Sequence, residues 1–232
     1  MTGAVARKPL VIAIDGPAAS GKGTLARRLA EHFRLAHLDT GKLYRAVAAL
    51  VLDSGGNPAD PVAAAGAAER IEPAMLADPR LLGEAVARAA SVVAAIPAVR
   101  AALLSLQRNF ARHPPPAPDG APAVGAVLDG RDIATAVCPE ATVKLFIAAS
   151  AEARAERRLR ELRQSGAAAI YGDVLRDMKE RDARDSSRQV APLAAAPDAV
   201  VIDTTALDAD EVFERASDII RRALAARKRR EP

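Results

Sequence analysis

The chain has 232 residues, a formal charge of +4 and a composition that is 50% hydrophobic and 27% charged. That length can bury a substantial core in one domain with a lid or subdomain attached, and the apolar fraction excludes disorder of the whole chain. Four Phe, two Tyr and no Trp leave Ala, Leu, Val and Ile to build the core and argue against base stacking on an aromatic surface. The pI near 9.6 suits a protein that handles anions without separating nucleotides from nucleic acid. Cys138 is the sole cysteine, so an intramolecular disulfide is impossible and a small buried apolar side chain is expected there. His32, His37 and His113 show no metal-ligand spacing. No signal-peptide pattern precedes Asp15, and no apolar run approaches the length of a bilayer span. The cytosol is the expected compartment, and neither a membrane nor a nucleic acid is an expected partner.

Residues 9–24 read PLVIAIDGPAASGKGT. An apolar run from Leu10 to Ile14 stops at Asp15, a Gly16-Pro17-Ala18-Ala19-Ser20-Gly21-Lys22 loop follows, and an amphipathic stretch begins near Gly23. The spacing fits a phosphate loop between a strand and a helix, except that Gly23 follows the lysine and the hydroxyl arrives one place later at Thr24. Backbone N–H groups uncrowded at glycine can converge on phosphate oxygens, the helix N-terminus adds unpaired donors, and Lys22 adds a mobile point charge.

Leu25, Ala26, Leu29, Ala30 and Phe33 recur at helical spacing, residues 34–39 give a short strand, and a helix containing Tyr44 and Arg45 begins at Thr40-Gly41. Thr40 is a candidate helix cap as well as a candidate ligand. Gly55-Gly56-Asn57-Pro58 is a loop, and Pro61, Pro73 and Pro79 interrupt an Ala-rich segment without an evident strand. From Glu84 the pattern predicts a helix, a break at Ile96-Pro97 and a second helix striped by Val99, Leu103, Leu106 and Phe110. Residues 113–122 are a loop. Val124–Leu128, Val143–Ala148 and Ala199–Ile202 read as strands, the first running into Asp129-Gly130-Arg131-Asp132 and the last into Asp203. Five strands alternating with helices make the class α/β, with ligands expected beyond the carboxyl ends of a parallel sheet.

Residues 151–190 hold ten Lys or Arg and eight Asp or Glu, at helical spacing around a turn at Ser165-Gly166. A solvated pair of helices accounts for such charge. In the second helix, however, the apolar stripe of Val174 and Met178 continues along one face into Arg181, Asp185 and Arg188, which implies a charged partner. The last helix, from about Ala209 to Ala226, ends in Arg227-Lys228-Arg229-Arg230, where positive charge favours a helix C-terminus.

Phosphoryl transfer relies on alignment and on positive charge spread over the migrating group, and an acceptor that already bears a phosphate needs its own guanidinium clamp. Arg45, Arg131 and Arg188 are candidates for it. The segments GPAASGKGT, LDTGKLYR, AASVVAAIPAVR, LDGRDIATAVCP and KERDARDSSR, in this order, resemble the signature segments of the bacterial cytidylate kinases across nearly the whole chain. GKGT marks many nucleoside monophosphate kinases; DGRD together with RDARDSSR is more telling.

The resemblance implies a five-stranded parallel sheet with helices on both faces, and transfer of the γ-phosphoryl group of ATP, with Mg²⁺, to CMP or dCMP by a monomer. A core of about residues 1–54, 113–150 and 191–232 would carry a helical acceptor-binding subdomain (about 55–112) and a helical lid (about 151–190). Ser91, Arg100 and Asp132 would recognise cytosine, Arg181 and Asp185 the ribose, and Arg45, Arg131 and Arg188 the acceptor phosphate, with Thr40 nearby. Lys22, Arg131, Arg181 and Arg188 would be the catalytic charges, and the loop Gly16 to Thr24 would hold ATP. Arg154, Arg157 and Arg158 would close from the lid onto the phosphates, and Thr24 or water would serve Mg²⁺. Many family members carry a longer insert with a small sheet before the segment that matches AASVVAAI; residues 58–85 here are short and rich in Ala and Pro. The rival readings are an adenylate, UMP/CMP or shikimate type of kinase, a hydrolytic switch protein and a nucleic-acid binder. DGRD with RDARDSSR speaks against the first, and no guanine-recognition motif supports the second.

Overall fold

The structure is a computed structural model that describes residues 9–116, 120–164 and 166–230. Strands β1 (Leu10–Asp15), β2 (Ala36–Asp39), β3 (Gly125–Gly130), β4 (Val143–Ala148) and β5 (Val200–Asp203) form one parallel sheet in the order β2-β3-β1-β4-β5. Side chains alternate between its two faces. Leu10, Ile12 and Ile14 point into a core shared with helices α1 (Lys22–Phe33) and α8 (Ala209–Arg230). Ala13, with Ala126 and Leu128 of β3, faces α2 (Thr40–Asp53), α3 (Pro61–Ala68), α4 (Glu84–Val93) and α5 (Pro97–Arg112). Both faces of the central strands are therefore covered, which explains why β1 and β3 read as continuous apolar runs rather than as polar–apolar alternation.

Register sets the site. Ile14 pairs with Asp129, Asp15 with Gly130, and Asp39 with Asp129. Three strands thus carry an acidic residue at or next to their carboxyl ends, at the edge where the strand order reverses around β1 and where an open α/β sheet presents ligands. Strand β3 runs two residues beyond the expected Leu128 and takes in Asp129 and Gly130, because neighbours on both sides continue to supply hydrogen-bonding partners there.

The segment before α4 contains α3 and two short 3₁₀ turns, Pro73–Ala77 and Pro79–Leu82, each opened by its proline, and no strand among the described residues. The break at Ile96-Pro97 is a bend of 100° between α4 and α5. No single helix among the described residues is long and apolar enough to cross a membrane. Cys138 is buried, as expected.

Helices α6 (Ala151–Gln164) and α7 (Tyr171–Ser186) form an arm with a small core of Ala155, Val174 and Met178 seated against Ala18 and Ala19. The expected turn at Ser165 lies outside the described residues, as do positions 117–119 of the loop after α5. Arg188 does not belong to α7, as its spacing suggested. The helix is capped at Ser187, and the chain folds back so that Leu193 N–H donates to the Asp185 carbonyl at 2.9 Å.

Candidate active site

The phosphate loop leaves β1 through Gly16 (φ +152°), where a Cβ would stand 2.3 Å from the Ile147 carbonyl oxygen; only glycine lets the loop lie so close to β4. It turns through left-handed Ala19 (φ 56°) and Gly21 (φ 90°) and enters α1 with no capping side chain. The first amides of α1 are thereby left for an anion. The Lys22 ammonium donates to the Pro17 carbonyl at 3.1 Å. Burial, aided by the Arg131 charge, lowers its pKa to about 7, against the pull of Asp129 and Asp39. Ser20 Oγ is buried without a hydrogen-bond partner. Thr24, expected near a metal, is exposed, and its Oγ1 accepts only a long 3.4 Å bond from Arg27.

Next to Lys22 and Gly23 opens a cavity into which five segments project. Arg100 from α5 and Asp132, just past β3, are both buried and form a direct ion pair; Arg100 also donates to the Ala94 carbonyl at 3.1 Å. Burial works against the Arg100 charge, but Tyr44 and Asp132 together raise its pKa above the ordinary value. Its guanidinium lies 5.4 Å from the centre of the Tyr44 ring, and burial pushes the Tyr44 phenol up to about 12. Ser91 closes this end of the cavity, its hydroxyl accepting from Arg184 at 2.8 Å.

At the other end Arg45, Arg131, Arg181 and Arg188 converge. Asp185, 1% exposed, organises two of them: Oδ2 accepts from Arg131 Nε at 3.0 Å and Oδ1 from Arg188. Burial alone would raise the Asp185 pKa, yet Arg131, Arg188 and Arg181 hold it below the usual range. Arg181 has no such organiser. Its Nε is buried without a hydrogen-bond partner, and burial together with Arg131 lowers its pKa to about 10. Asp185 opposes this, and a partly buried guanidinium facing the cavity among other cations favours an anion that enters there.

Thr40 is not the helix cap. It is the first residue of α2, and its Oγ1 donates to the Asp129 carbonyl at 2.8 Å, which ties α2 to the end of β3. The approach is close enough that a Cβ at Gly130 would stand 2.6 Å from Thr40 Oγ1. On the other side of Asp129, Oδ1 meets His37 Nε2 at 2.7 Å.

The three arm arginines bond to different neighbours in this structure. Arg154 is bound to Asp182 (3.1 Å from Nη1), to the Ala149 carbonyl and, at 3.3 Å, to the Ala18 carbonyl of the phosphate loop. Arg157 donates to the Thr204 hydroxyl at 3.1 Å and the Ser20 carbonyl at 3.4 Å, and also to the Thr204 carbonyl. Arg158 reaches the opposite way, to Glu84 at the start of α4 at 2.9 Å. Spacing of 3 and 4 from Arg154 keeps all three on one side of the helix, but their long side chains reach to different neighbours.

The expected acceptor residues Thr40, Arg45, Ser91, Arg100, Arg131, Asp132, Arg181, Asp185 and Arg188 all line this one cavity together with Lys22 and Gly23. Tyr44, Asp39 and Asp129 line it too, although the sequence offered only strand-end position and helix phase to notice them. Arg184 sits in the same RDARD run as Arg181 and could have been found only by knowing which face of α7 meets α4.

The cytidylate kinase family model matches residues 12–222. The chain belongs to the cytidylate kinase family. It is 61% identical to the cytidylate kinase of Rhodospirillum rubrum over 211 residues, which covers 91% of this chain and 97% of that one. The cytidylate kinase of Granulibacter bethesdensis is 57% identical over 213 residues, covering 92% and 97%. Membership makes the chain a nucleoside monophosphate kinase and agrees with the parallel sheet and phosphate loop. A crystal structure of an uncharacterized protein from Eubacterium ventriosum shares the fold at a TM-score of 0.50 and 16% identity, covering 91% of this chain and 97% of that one.

Proposed function

We propose that the protein transfers the γ-phosphoryl group of ATP to CMP or dCMP, giving ADP and the nucleoside diphosphate. The observation that carries this reading is the buried Arg100–Asp132 pair in the same cavity as four converging arginines and Lys22. A carboxylate such as Asp132 accepts from the exocyclic amine of cytosine, while Arg100 donates to the ring's acceptor edge. Uracil would meet that carboxylate with an oxygen, and a buried acceptor left unpaired costs about 1–3 kcal/mol.

Arg45, Arg131 and Arg188 bind the acceptor phosphate, and Asp185 keeps Arg131 and Arg188 oriented while approaching the ribose with Arg181. An oxygen of the acceptor phosphate forms the new bond to the γ-phosphorus as the bond to the β,γ-bridging oxygen breaks, and that oxygen leaves on ADP. The acceptor oxygen is already anionic, so the residues need only align it and neutralise charge. Lys22, the loop amides and Arg181 supply that charge on the donor side. Arg157 and Arg154, both bonded to the loop backbone, hold the arm over it and limit the access of water; Arg158, turned to Glu84, takes no part in holding ATP.

The donor set beside Gly23 fits Mg²⁺, which takes one or two carboxylates plus phosphate oxygens and water. Asp129 Oδ2 lies 3.7 Å from where a Gly23 Cβ would be, and Asp39 lines the same cavity. These carboxylates, rather than Thr24, would hold the ion, which supplies charge neutralisation between the phosphates when bound. A coupled ADP-release assay with ATP, Mg²⁺ and each nucleoside monophosphate tests the proposal. CMP and dCMP should give the highest kcat/KM; preference for AMP or GMP, or equal ADP release without an acceptor, overturns it.

A further inference from the structure

Asp132 lies two residues past β3 and opens a short helical turn, Ile133–Val137, whose Ala136 and Val137 amides both bond the Asp132 carbonyl, at 2.9 and 3.2 Å. The two amides that begin this turn do not face water. Ile133 N–H and Ala134 N–H each donate to the Asp15 carboxylate at 2.8 Å, one to each oxygen. Asp15 is the last residue of β1, 1% exposed, and immediately precedes the phosphate loop. At the opposite end of the turn, Arg108 of α5 donates from Nε to the Val137 carbonyl at 3.1 Å and from Nη2 to the Ala136 carbonyl at 2.9 Å. A carboxylate thus grips the amide end and a guanidinium the carbonyl end, each matching the partial charge it meets.

Through hydrogen bonds, the clamp ties together the two halves of the site at points close in the chain to their working groups. Asp15 is one residue from Gly16 of the donor loop, and Arg108 shares α5 with Arg100, the ion-pair partner of Asp132. Burial pushes the Asp15 carboxyl up to about 6; the Ala134 and Ile133 amides oppose this, Asp132 adds to it and Arg131 opposes it. A buried carboxylate in this position carries a desolvation cost, and among the described residues the groups it bonds are those two amides. Neither Asp15 nor Arg108 lines the cavity.

We propose that Asp15 and Arg108 are positioning residues for base recognition: by fixing both ends of the Ile133–Val137 turn they set where Asp132 presents its carboxylate relative to the donor loop. This rests on the reading of Asp132 as the residue that selects cytosine. Loosening either end should let Asp132 shift, so that the preference for cytosine falls while ATP binding is kept.

The test compares kcat/KM for CMP and for UMP in Arg108→Met, Arg108→Lys, Asp15→Asn and Asp132→Ala proteins. A fluorescent ATP analogue measures donor affinity without acceptor, and thermal melting measures stability. Arg108→Met, which loses both carbonyl bonds at a partly exposed site and so keeps the question open should Asp15→Asn fail to fold, should raise KM for CMP and cut the CMP/UMP ratio roughly ten-fold. Arg108→Lys, which keeps a donor, should recover part of that ratio, and donor affinity should stay within about two-fold of the parent in both. A simple loss of stability lowers the active fraction equally for both acceptors and leaves the ratio unchanged. If Asp132→Ala abolishes the preference for CMP and Arg108→Met retains it, the clamp is overturned. If Asp132→Ala itself retains the preference, the reading of the base site fails and the clamp proposal falls with it.

Discussion

In the proposed reading the donor loop and the acceptor cavity both gather phosphate, but they are built of different material. Between Gly16 and Lys22 the ligand-facing groups are main-chain amides from one contiguous stretch, placed by the positive φ of Gly16, Ala19 and Gly21. The acceptor cavity is made of side chains from α2, α4, α5, the end of β3 and α7 with its trailing Arg188. A main-chain site can be specific for phosphate but not for what the phosphate is attached to. A site of side chains carries the pattern of donors and acceptors that tells one base from another.

Substitutions should therefore have acceptor-blind effects on one side and acceptor-dependent effects on the other. The largest is expected for Lys22→Ala, which removes the only mobile charge of the loop; kcat/KM should fall on the order of a thousand-fold, equally for CMP, dCMP and UMP. A loss that differs among the three in a coupled assay would break the distinction. Asp132→Ala should act in the opposite sense, cutting the CMP-to-UMP ratio of kcat/KM about ten- to a hundred-fold while KM for ATP stays nearly constant.

A smaller effect distinguishes the two sides by protons. The Lys22 pKa is lowered in the folded chain to about 7 from 10.5, so its neutral form is favoured there. The stability this contributes is present above pH 10.5 and is lost as pH falls through 7. Bound triphosphate brings negative charge and favours the ammonium, so ATP binding near pH 8 should take up on the order of one proton. Calorimetry in buffers of different ionisation enthalpy measures this directly, and an enthalpy independent of buffer refutes it. CMP binding alone should show much less uptake. The smallest effect is expected for Glu84→Gln, which severs the partly exposed tie to Arg158; such pairs contribute about 0–1 kcal/mol, so kcat should change by no more than about two- to five-fold. A loss of a hundred-fold in the assay would mean that the Glu84–Arg158 tie does more than brace the arm.

What could be read from the sequence follows the same division. The loop, its flanking strand and helix, and all five strands were visible because local periodicity and glycine spacing encode them. The cavity residues were visible chiefly through resemblance, since Ser91 and Arg100 look like surface decoration until the bend at Pro97 turns α4 and α5 toward β3. The sequence misplaced Thr40 as a helix cap candidate, because a hydroxyl before an amphipathic run is a local cap signal, whereas its partner, the Asp129 carbonyl, is 89 residues away. It grouped Arg154, Arg157 and Arg158 because spacing reports a helix face and not the three surfaces around that helix. Asp15 carried a faint signal, a carboxylate closing an apolar strand, but its two amide partners lie 118 and 119 residues further on.

The arm formed by α6 and α7 rests its small apolar core on the methyl groups of Ala18 and Ala19. Swinging the arm away must wet those methyls and break the Arg154 bond to the Ala18 carbonyl. Apolar contact weakens on cooling, so the seat of the arm should loosen in the cold and tighten with moderate warming. The methyl groups of the two loop alanines, which carry no donor for phosphate, thereby give arm closure a temperature dependence of its own.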